Sequence, residues 1–168
     1  MDIPEEVQER WGKKLERFQA DETAPPILPY PSLAAMTLAG AAGDKESVMA
    51  LRGLMRSHPD EFPLDLGPAK CKDLDRWFLD EYVKSGGRVQ GMRALEAVWL
   101  ATDEALHYIS PRVGGHIRWA WDSLEVRPMK SGRRFGKATV ATPGGTFHFS
   151  MGTGALANLL TLYSWSQV

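Results

Sequence analysis

The most constraining feature of this sequence is a long segment without charged side chains. Residues Ala138 to Val168 contain no Asp, Glu, Lys or Arg, whereas 24% of the whole chain is charged. Such a segment must be buried in the core of the chain or covered by a partner, because surfaces in contact with water normally carry charged groups. The sequence therefore predicts that these residues are packed on most sides.

Two patterns divide the uncharged segment into a hairpin and a helix. A Pro-Gly-Gly turn signal at residues 143–145 lies between two stretches with strand character, 135–142 and 146–151. The leucine-rich stretch 155–163 that follows is typical of a buried helix with a narrow polar stripe. We expect that stripe to consist of Asn158, Thr161 and Ser164.

The part of the chain before residue 110 has mainly helical signals. Ser32 and Asp44 are suitable N-cap residues, and they predict two helices that start directly after them. A further helix is expected around residues 74–82, after a turn-rich stretch at 58–68. The clearest period of three to four residues predicts the longest helix, with one face formed by Met92, Leu95, Trp99, Thr102, Leu106 and Ile109.

An alternating pattern replaces the helical period after residue 115. Ile117, Trp119 and Trp121 are two residues apart, as in a half-buried strand, and a phase shift at Ser123 predicts a bend. The predicted fold class is α+β, with about five helices in the N-terminal part, then a small antiparallel sheet with a hairpin and a buried C-terminal helix. The predicted organisation is a single domain over 1–168, with a peripheral helix (1–20), a proline-rich connector (23–31), a helical part (32–110) and a sheet with the terminal helix (115–168).

Cysteine usage and hydropathy indicate a cytoplasmic protein. Cys71 is the single cysteine, so no disulfide forms within the chain, and the first residues lack the features of a secretory signal. The longest apolar stretch, 155–163, is much shorter than the roughly 20 residues that cross a membrane. We therefore expect no membrane span, and no cofactor is predicted.

Charge is distributed unevenly along the chain, although the net charge is only −1. Residues 1–111 contain 13 basic and 19 acidic side chains, whereas residues 112–137, which we call the basic strip, contain seven basic and two acidic ones. A basic strip attracts an anionic partner, or it docks onto the acidic helices of the same chain. The predicted partner-binding residues in the strip are Arg118, Arg127, Lys130, Arg133 and Arg134.

Histidines are the first candidates for chemistry, because they titrate near neutral pH and bind metals. Asp103 and His107 are four residues apart on the polar face of the predicted long helix, and His116 lies just beyond its end. With one more ligand, these three side chains would hold a divalent metal ion. The alternative is a solvated Asp–His pair on a helix surface. We favour it over a metal site, because this spacing often arises by chance.

His148 and Cys71 are further candidates for catalysis, beside His107 and His116. His148 lies in a predicted strand between two hydroxyl residues, and the alternative is a strand histidine with ordinary hydrogen bonds. Cys71 has a lysine on each side, an environment that lowers the pKa of a thiol, and the alternative is an inert cysteine at a helix entry. Neither has a partner at a spacing known from nucleophilic catalysis.

These features support three classes of function. A protein-binding module, such as an inhibitor, an immunity-type protein or an accessory subunit, fits the segregated charges, the six tryptophans and the lack of a catalytic set in the sequence. The first alternative is nucleic-acid binding through the basic strip. The second alternative is a small enzyme with a histidine-containing site, and it is the less favoured class. The expected partner is another protein, and the uncharged segment is also suited to self-association.

Overall fold

Seven β-strands dominate the computed structural model, which describes residues 5, 9–14, 25, 27–41, 44–88 and 96–168. All neighbouring strands are antiparallel. The strands are β1 (Pro63–Lys70), β2 (Val98–Thr102), β3 (Ala105–Ser110), β4 (Gly115–Ala120), β5 (Glu125–Ser131), β6 (Phe135–Thr142) and β7 (Gly145–Gly152).

Strand β1 joins two sets of strands, so that the sheet order is β4-β3-β2-β1-β7-β6-β5. The part of β1 from Pro63 to Pro68 pairs with β2, whereas Ala69 and Lys70 pair with β7. On one side of β1 the strands β2, β3 and β4 follow one another in the chain, and on the other side β5, β6 and β7 do. Such consecutive antiparallel neighbours need only short connections.

Five α-helices accompany the sheet in the part of the chain that the structure describes. Two of them begin at the predicted N-caps: Ser32 Oγ accepts a hydrogen bond from Ala35 N at 3.0 Å, and Asp44 Oδ1 accepts one from Ser47 N at 2.7 Å. These bonds satisfy backbone N–H groups that have no partner within the helix. The helices are α1 (described over 9–14), α2 (Leu33–Leu38), α3 (Lys45–Ser57), α4 (Lys72–Lys84) and α5 (Thr153–Ser166).

The core lies between the sheet and these helices. Helix α5 packs against β1, β5, β6 and β7, and it buries Leu156, Leu159 and Leu162. Phe149 and Met151 of β7 are buried in the same core. The uncharged segment is therefore largely packed against its own chain. Among the described residues, no helix is both long and apolar enough to cross a membrane.

The predicted fold class is wrong in its N-terminal part, because the long helix expected up to Ile109 is a strand pair. Residues 98–102 and 105–110 form β2 and β3, and every residue of both strands is buried. A strand that is buried on both faces shows a continuous apolar run instead of alternation, and such a run resembles a buried helix. Met92 and Leu95, the start of that predicted helix, lie outside the described residues.

The turn-rich stretch before α4 contains strand β1, which the sequence does not predict, so the sheet is larger than predicted. Pro63 and Pro68 lie within β1, and prolines normally indicate that a segment is not a central strand. Both prolines lie where β1 pairs with β2, and the pairing with β7 involves Ala69 and Lys70. Their missing N–H groups therefore remove no bond to β7.

The C-terminal hairpin and helix lie where the patterns placed them, with one correction. Strands β6 and β7 flank the Pro143–Gly144 turn, and a 3-10 turn at Trp121–Ser123 makes the bend before β5. Asn158, however, does not belong to a polar stripe on the surface of α5. Its side chain is buried and bonds to Asp65 and to the backbone of Tyr30.

Candidate functional site

Three histidines converge where the end of α3 meets β3 and β4. His58 is the C-cap residue of α3, His107 lies in β3 and His116 lies in β4. His107 is opposite Arg118 in the sheet, so His116 is its diagonal neighbour on the same face. One ring nitrogen of each histidine lies within 4.8 Å of the other two, and His107 Nδ1 is 2.7 Å from His116 Nε2. We call these three residues the histidine cluster.

Glu61 holds the opposite edge of the His107 ring. Its Oε1 lies 3.0 Å from His107 Nε2 and also accepts the hydroxyl of Thr102 at 2.6 Å. Its Oε2 accepts Arg118 Nε at 2.9 Å. Because Glu61 is held from both oxygens, His107 donates its Nε2–H to the carboxylate and turns Nδ1 toward His116.

Burial and hydrogen bonding determine the protonation states in this region. Burial lowers the pKa of His107 to about 4, against the opposing effect of Glu61. Burial also lowers the pKa of His116, and His58 contributes in the same direction. For Glu61, burial raises the pKa, but the hydrogen bonds from Thr102, His107 and Arg118 outweigh it, so that the pKa is lowered. At neutral pH, His107 and His116 are neutral and Glu61 is ionised.

An open cleft of about 580 Å³ lies beside the histidine cluster. Met55 and Arg56 of α3 line one part of it, and Ile109, Gly115 and His116 line another. Cavities of this size suit a small ligand. His116 thus contributes both to the cluster and to a surface that solvent reaches.

The structure brings together two of the three predicted metal ligands and separates the third. Asp103 lies in the turn between β2 and β3, where its Oδ1 accepts a hydrogen bond from Phe62 N at 2.7 Å. His58 and Glu61 have no signal in the sequence that would connect them with His107, because they precede β1 in a stretch for which the sequence predicts turns. Only the strand pairing, which the helical prediction excluded, brings them next to His107.

His148 and Cys71 lie apart from the histidine cluster. His148 is exposed on β7, and its Nδ1 lies 3.4 Å from Thr139 Oγ1 on the neighbouring strand. Cys71 is the N-cap residue of α4 and is buried. Burial raises the pKa of its thiol, which is the opposite of what a nucleophilic cysteine requires.

Part of the basic strip docks internally. Arg118 binds Glu61 and Glu104, Arg127 binds Glu125, and Arg112 binds Glu46 and Glu96. For these three arginines the second alternative is therefore realised, namely docking onto acidic groups of the same chain. Arg118, one of the predicted partner-binding residues, binds the Glu61 carboxylate that also holds His107.

Three of the four other cations of the basic strip lie at the end of the β5–β6 hairpin, and the fourth, Lys137, lies further along β6. Among the described residues, Lys130, Arg133 and Arg134 have no salt bridge with an acidic side chain. They are exposed together with Phe135, whose side chain is 68% exposed, and Met129. We call these five residues the hairpin tip. No acidic residue occurs between Arg127 and Phe135.

Hydrogen bonds to α5 hold the backbone of the hairpin tip. The carbonyl oxygens of Arg133 and Arg134 accept bonds from the hydroxyl and the N–H of Thr153, at 3.2 and 3.0 Å. Gly132 N donates to Phe135 O at 2.8 Å and closes the turn. The exposed side chains thus project from a fixed backbone.

The sequence matches no protein-family profile, and no curated protein matches it. The case for a function therefore depends on the geometry of the described residues.

Proposed function

We propose that this protein is a protein-binding module that covers an acidic surface of another protein with its hairpin tip. The observation that carries the proposal is the exposure of Phe135 among Lys130, Arg133 and Arg134, which lack acidic partners among the described residues. Aromatic residues, Met and Arg are enriched in the centres of protein interfaces. In this proposal, Phe135 enters an apolar pocket of the partner, and the cations bind carboxylates around it.

A protein partner fits this surface better than a nucleic acid. Nucleic-acid binding derives most of its affinity from many phosphate contacts, often six or more. The hairpin tip offers three cations, and three of the other arginines in the basic strip are occupied by internal salt bridges. Residues 1–111 carry a net charge of −6, which would repel a polyanion at longer range.

The exposed aromatic side chain on α4 has different surroundings from the hairpin tip. Trp77 is 51% exposed, and its charged neighbours three and four residues away in the helix, Asp73, Asp80 and Glu81, are all acidic. These carboxylates would repel an acidic partner. At the hairpin tip the charged groups around the exposed ring are basic, so the surface is suited to an acidic partner.

The fixed backbone of the tip favours tight binding. A flexible loop loses conformational entropy when a partner orders it, and this loss weakens the complex. Here Thr153 and the turn bond from Gly132 to Phe135 have already ordered residues 132–135. Binding of a partner therefore costs less conformational entropy in this loop.

Affinity capture with matched variants tests the proposal. Wild-type protein, Phe135→Ala and the pair Arg133→Glu/Arg134→Glu are immobilised and exposed to extract of the native host, after nuclease treatment. The bound proteins are identified by quantitative mass spectrometry, and an acidic protein is then purified and titrated against each variant by calorimetry. We expect Phe135→Ala to weaken its binding about 30-fold, the effect of removing a hot spot worth roughly 2 kcal/mol. Charge reversal is expected to abolish binding at physiological salt.

Lys45→Glu/Lys72→Glu is the control pair for charge reversal. Both lysines are exposed first residues of helices, so the net charge changes by the same amount and glutamate is favourable near the N-terminus of a helix. The control pair should bind the partner like the wild type. Equal loss in both pairs would contradict the proposal, and so would a ligand that disappears on nuclease treatment.

A further inference from the structure

We propose that His58, His107 and His116 form a binding site for one divalent first-row transition metal ion, with Zn²⁺ as the reference ion. The inference is independent of the hairpin tip and concerns the histidine cluster alone. It starts from the convergence of three ring nitrogens within 4.8 Å of one another. The chain contains four histidines, and three of them meet here from separate elements.

The ring positions fit a single shared ion. The centroids are 5.2 Å apart for His58 and His107, 5.6 Å for His58 and His116, and 5.0 Å for His107 and His116. In a tetrahedral zinc site with Zn–N bonds of about 2.05 Å, the ligand nitrogens lie roughly 3.3 Å apart. His107 Nδ1 and His116 Nε2, which are 2.7 Å apart, must therefore move slightly apart. His58 must move closer to both of them by rotation of its side chain.

The surroundings of His107 match those of metal-binding histidines. A ligating histidine generally donates its other ring N–H to a carboxylate or carbonyl, which fixes the ring and its tautomer. Glu61 accepts from His107 Nε2 at 3.0 Å and is itself held by Thr102 and Arg118. Glu61 is therefore a positioning residue, which presents Nδ1 of His107 to the ion.

Metal binding replaces the hydrogen bond between His107 and His116 without release of a net proton. Because His107 carries its ring proton on Nε2, toward Glu61, its Nδ1 is the acceptor in that bond and His116 Nε2–H is the donor. When the ion binds, His116 carries its ring proton on Nδ1 instead and offers the Nε2 lone pair. His58 has one ring nitrogen next to Ser57, with Nδ1 and the hydroxyl oxygen 2.9 Å apart, and offers the other nitrogen.

The donor set determines the class of ion and what completes its coordination. Three imidazoles favour Zn²⁺, Cu²⁺, Ni²⁺ or Co²⁺ over Mg²⁺ and Ca²⁺, which prefer oxygen ligands. Three protein ligands leave a fourth position for water or a ligand, as in catalytic zinc sites. His116 lines the open cleft, so that position is accessible from solvent.

Zinc titration of the full chain without an affinity tag tests the site. After chelator treatment, we expect calorimetry to show one Zn²⁺ per chain. His58→Ala and His116→Ala should each weaken binding by more than about 100-fold, since each removes a ligand, whereas Glu61→Gln should weaken it by roughly 10–100-fold with unchanged stoichiometry. His148→Ala is the matched control, because it removes the one histidine outside the cluster, and it should leave the affinity unchanged.

X-ray absorption of the zinc-loaded wild type provides a readout that does not depend on the folding of any variant. We expect three imidazole nitrogens at about 2.0–2.1 Å and one further ligand. Glu61→Gln should retain the same coordination despite its weaker affinity, because a positioning residue does not touch the ion. The proposal is overturned if the wild-type spectrum shows fewer than three imidazoles, or if His148→Ala weakens binding as much as His58→Ala.

Discussion

Asn158 shows at the residue scale how one polar side chain connects distant parts of the chain. Its Nδ2 donates to Asp65 Oδ2 at 2.8 Å and to Tyr30 O at 3.2 Å, and its Oδ1 accepts from Tyr30 N at 3.0 Å. The side chain is 2% exposed, so these bonds form away from water. Helix α5, strand β1 and the segment before α2 therefore meet at a single amide group.

Replacement of Asn158 by alanine should lower the free energy of unfolding by about 2–3 kcal/mol. The substitution leaves the buried Asp65 carboxyl and the Tyr30 backbone without these partners, and unsatisfied buried groups are costly. Urea unfolding measures the change. Thr161→Ala is the control, because the Thr161 hydroxyl bonds to Ala157 O within the same helix, and it should cost less than about 1 kcal/mol. Equal effects of the two substitutions would contradict the role assigned to Asn158.

Asp65 should make the protein less stable as the pH rises from 4 to 7. Burial raises its pKa, although hydrogen bonds from Asn158 and from the backbone N–H groups of Leu66, Leu33 and Ala34 oppose the shift. A carboxyl whose folded pKa exceeds the unfolded value of about 3.9 favours folding most when it is protonated. Its contribution is complete below about pH 4 and is lost as the pH rises through the folded pKa.

Asp65→Asn isolates this contribution, because asparagine does not titrate. The difference in unfolding free energy, wild type minus variant, should decrease between pH 4 and pH 7 in urea titrations. A difference that stays constant or grows over this range would show that Asp65 is not destabilised by its burial.

Cys71 should react slowly with alkylating reagents. The thiol is buried and its pKa is raised by burial, so the thiolate fraction at neutral pH is small. Mass spectrometry after iodoacetamide treatment should show slower modification of the folded protein than of free cysteine. Protein unfolded in urea serves as the control and should be modified rapidly. Modification of the folded protein faster than that of free cysteine would instead indicate an activated thiol.

At the scale of elements, the contact between α4 and β4 depends on the absence of a side chain. A Cβ at Gly115 would lie 2.5 Å from Cγ of Phe78, which is part of a rigid buried ring. The ring of Phe78 also stacks near Tyr108 of β3, with 6.0 Å between the centroids. The ring therefore has little room to move away.

Gly115→Ala should destabilise the fold by about 1–3 kcal/mol, because an additional carbon in a packed contact forces neighbouring groups apart. Thermal unfolding followed by circular dichroism measures the effect. Gly144→Ala is the control in an open turn, where the nearest atom to a Cβ is 3.8 Å away, and it should change stability by no more than about 0.5 kcal/mol. A neutral Gly115→Ala variant would show that α4 is packed more loosely than described.

The elements also explain which parts of the fold the sequence could predict. Helices α2 and α3 have capping side chains at their first turns, and the β6–β7 hairpin has a turn signal between alternating strands. These signals are local, so sequence patterns report them. Strands β2 and β3 carry no such signal, because both of their faces are buried and tertiary packing determines their conformation.

At the scale of the whole molecule, the histidine cluster cannot be predicted as long as residues 98–110 are taken as a helix instead of the strands β2 and β3. The helical spacing of the sequence predicts that His107 lies beside Asp103 on a helix and that His116 lies just beyond the end of that helix. Only the sheet brings His58 and Glu61 to the same place, through contacts between residues 46 to 58 positions apart. No single-sequence pattern reports pairing over such distances.

The hairpin tip is easier to predict than the histidine cluster, because its charged and aromatic residues are neighbours in the sequence itself. The sequence alone does not show that Arg118 forms internal salt bridges whereas Arg133 and Arg134 are exposed, because such salt bridges depend on the folded chain. The structure resolves the basic strip into an internally paired part and an exposed tip. The proposed binding function concerns the tip alone.

Nuclear magnetic resonance of isotope-labelled protein, titrated with the purified acidic partner obtained by capture, shows which residues form the binding surface. We expect the backbone and side-chain signals of Met129 to Phe135 to shift first, together with that of Thr153, to which the tip is bonded. Signals around Trp77 on α4 should remain unchanged. Shifts centred on Trp77 or on the histidine cluster, with an unaffected hairpin tip, would contradict the assignment of this surface.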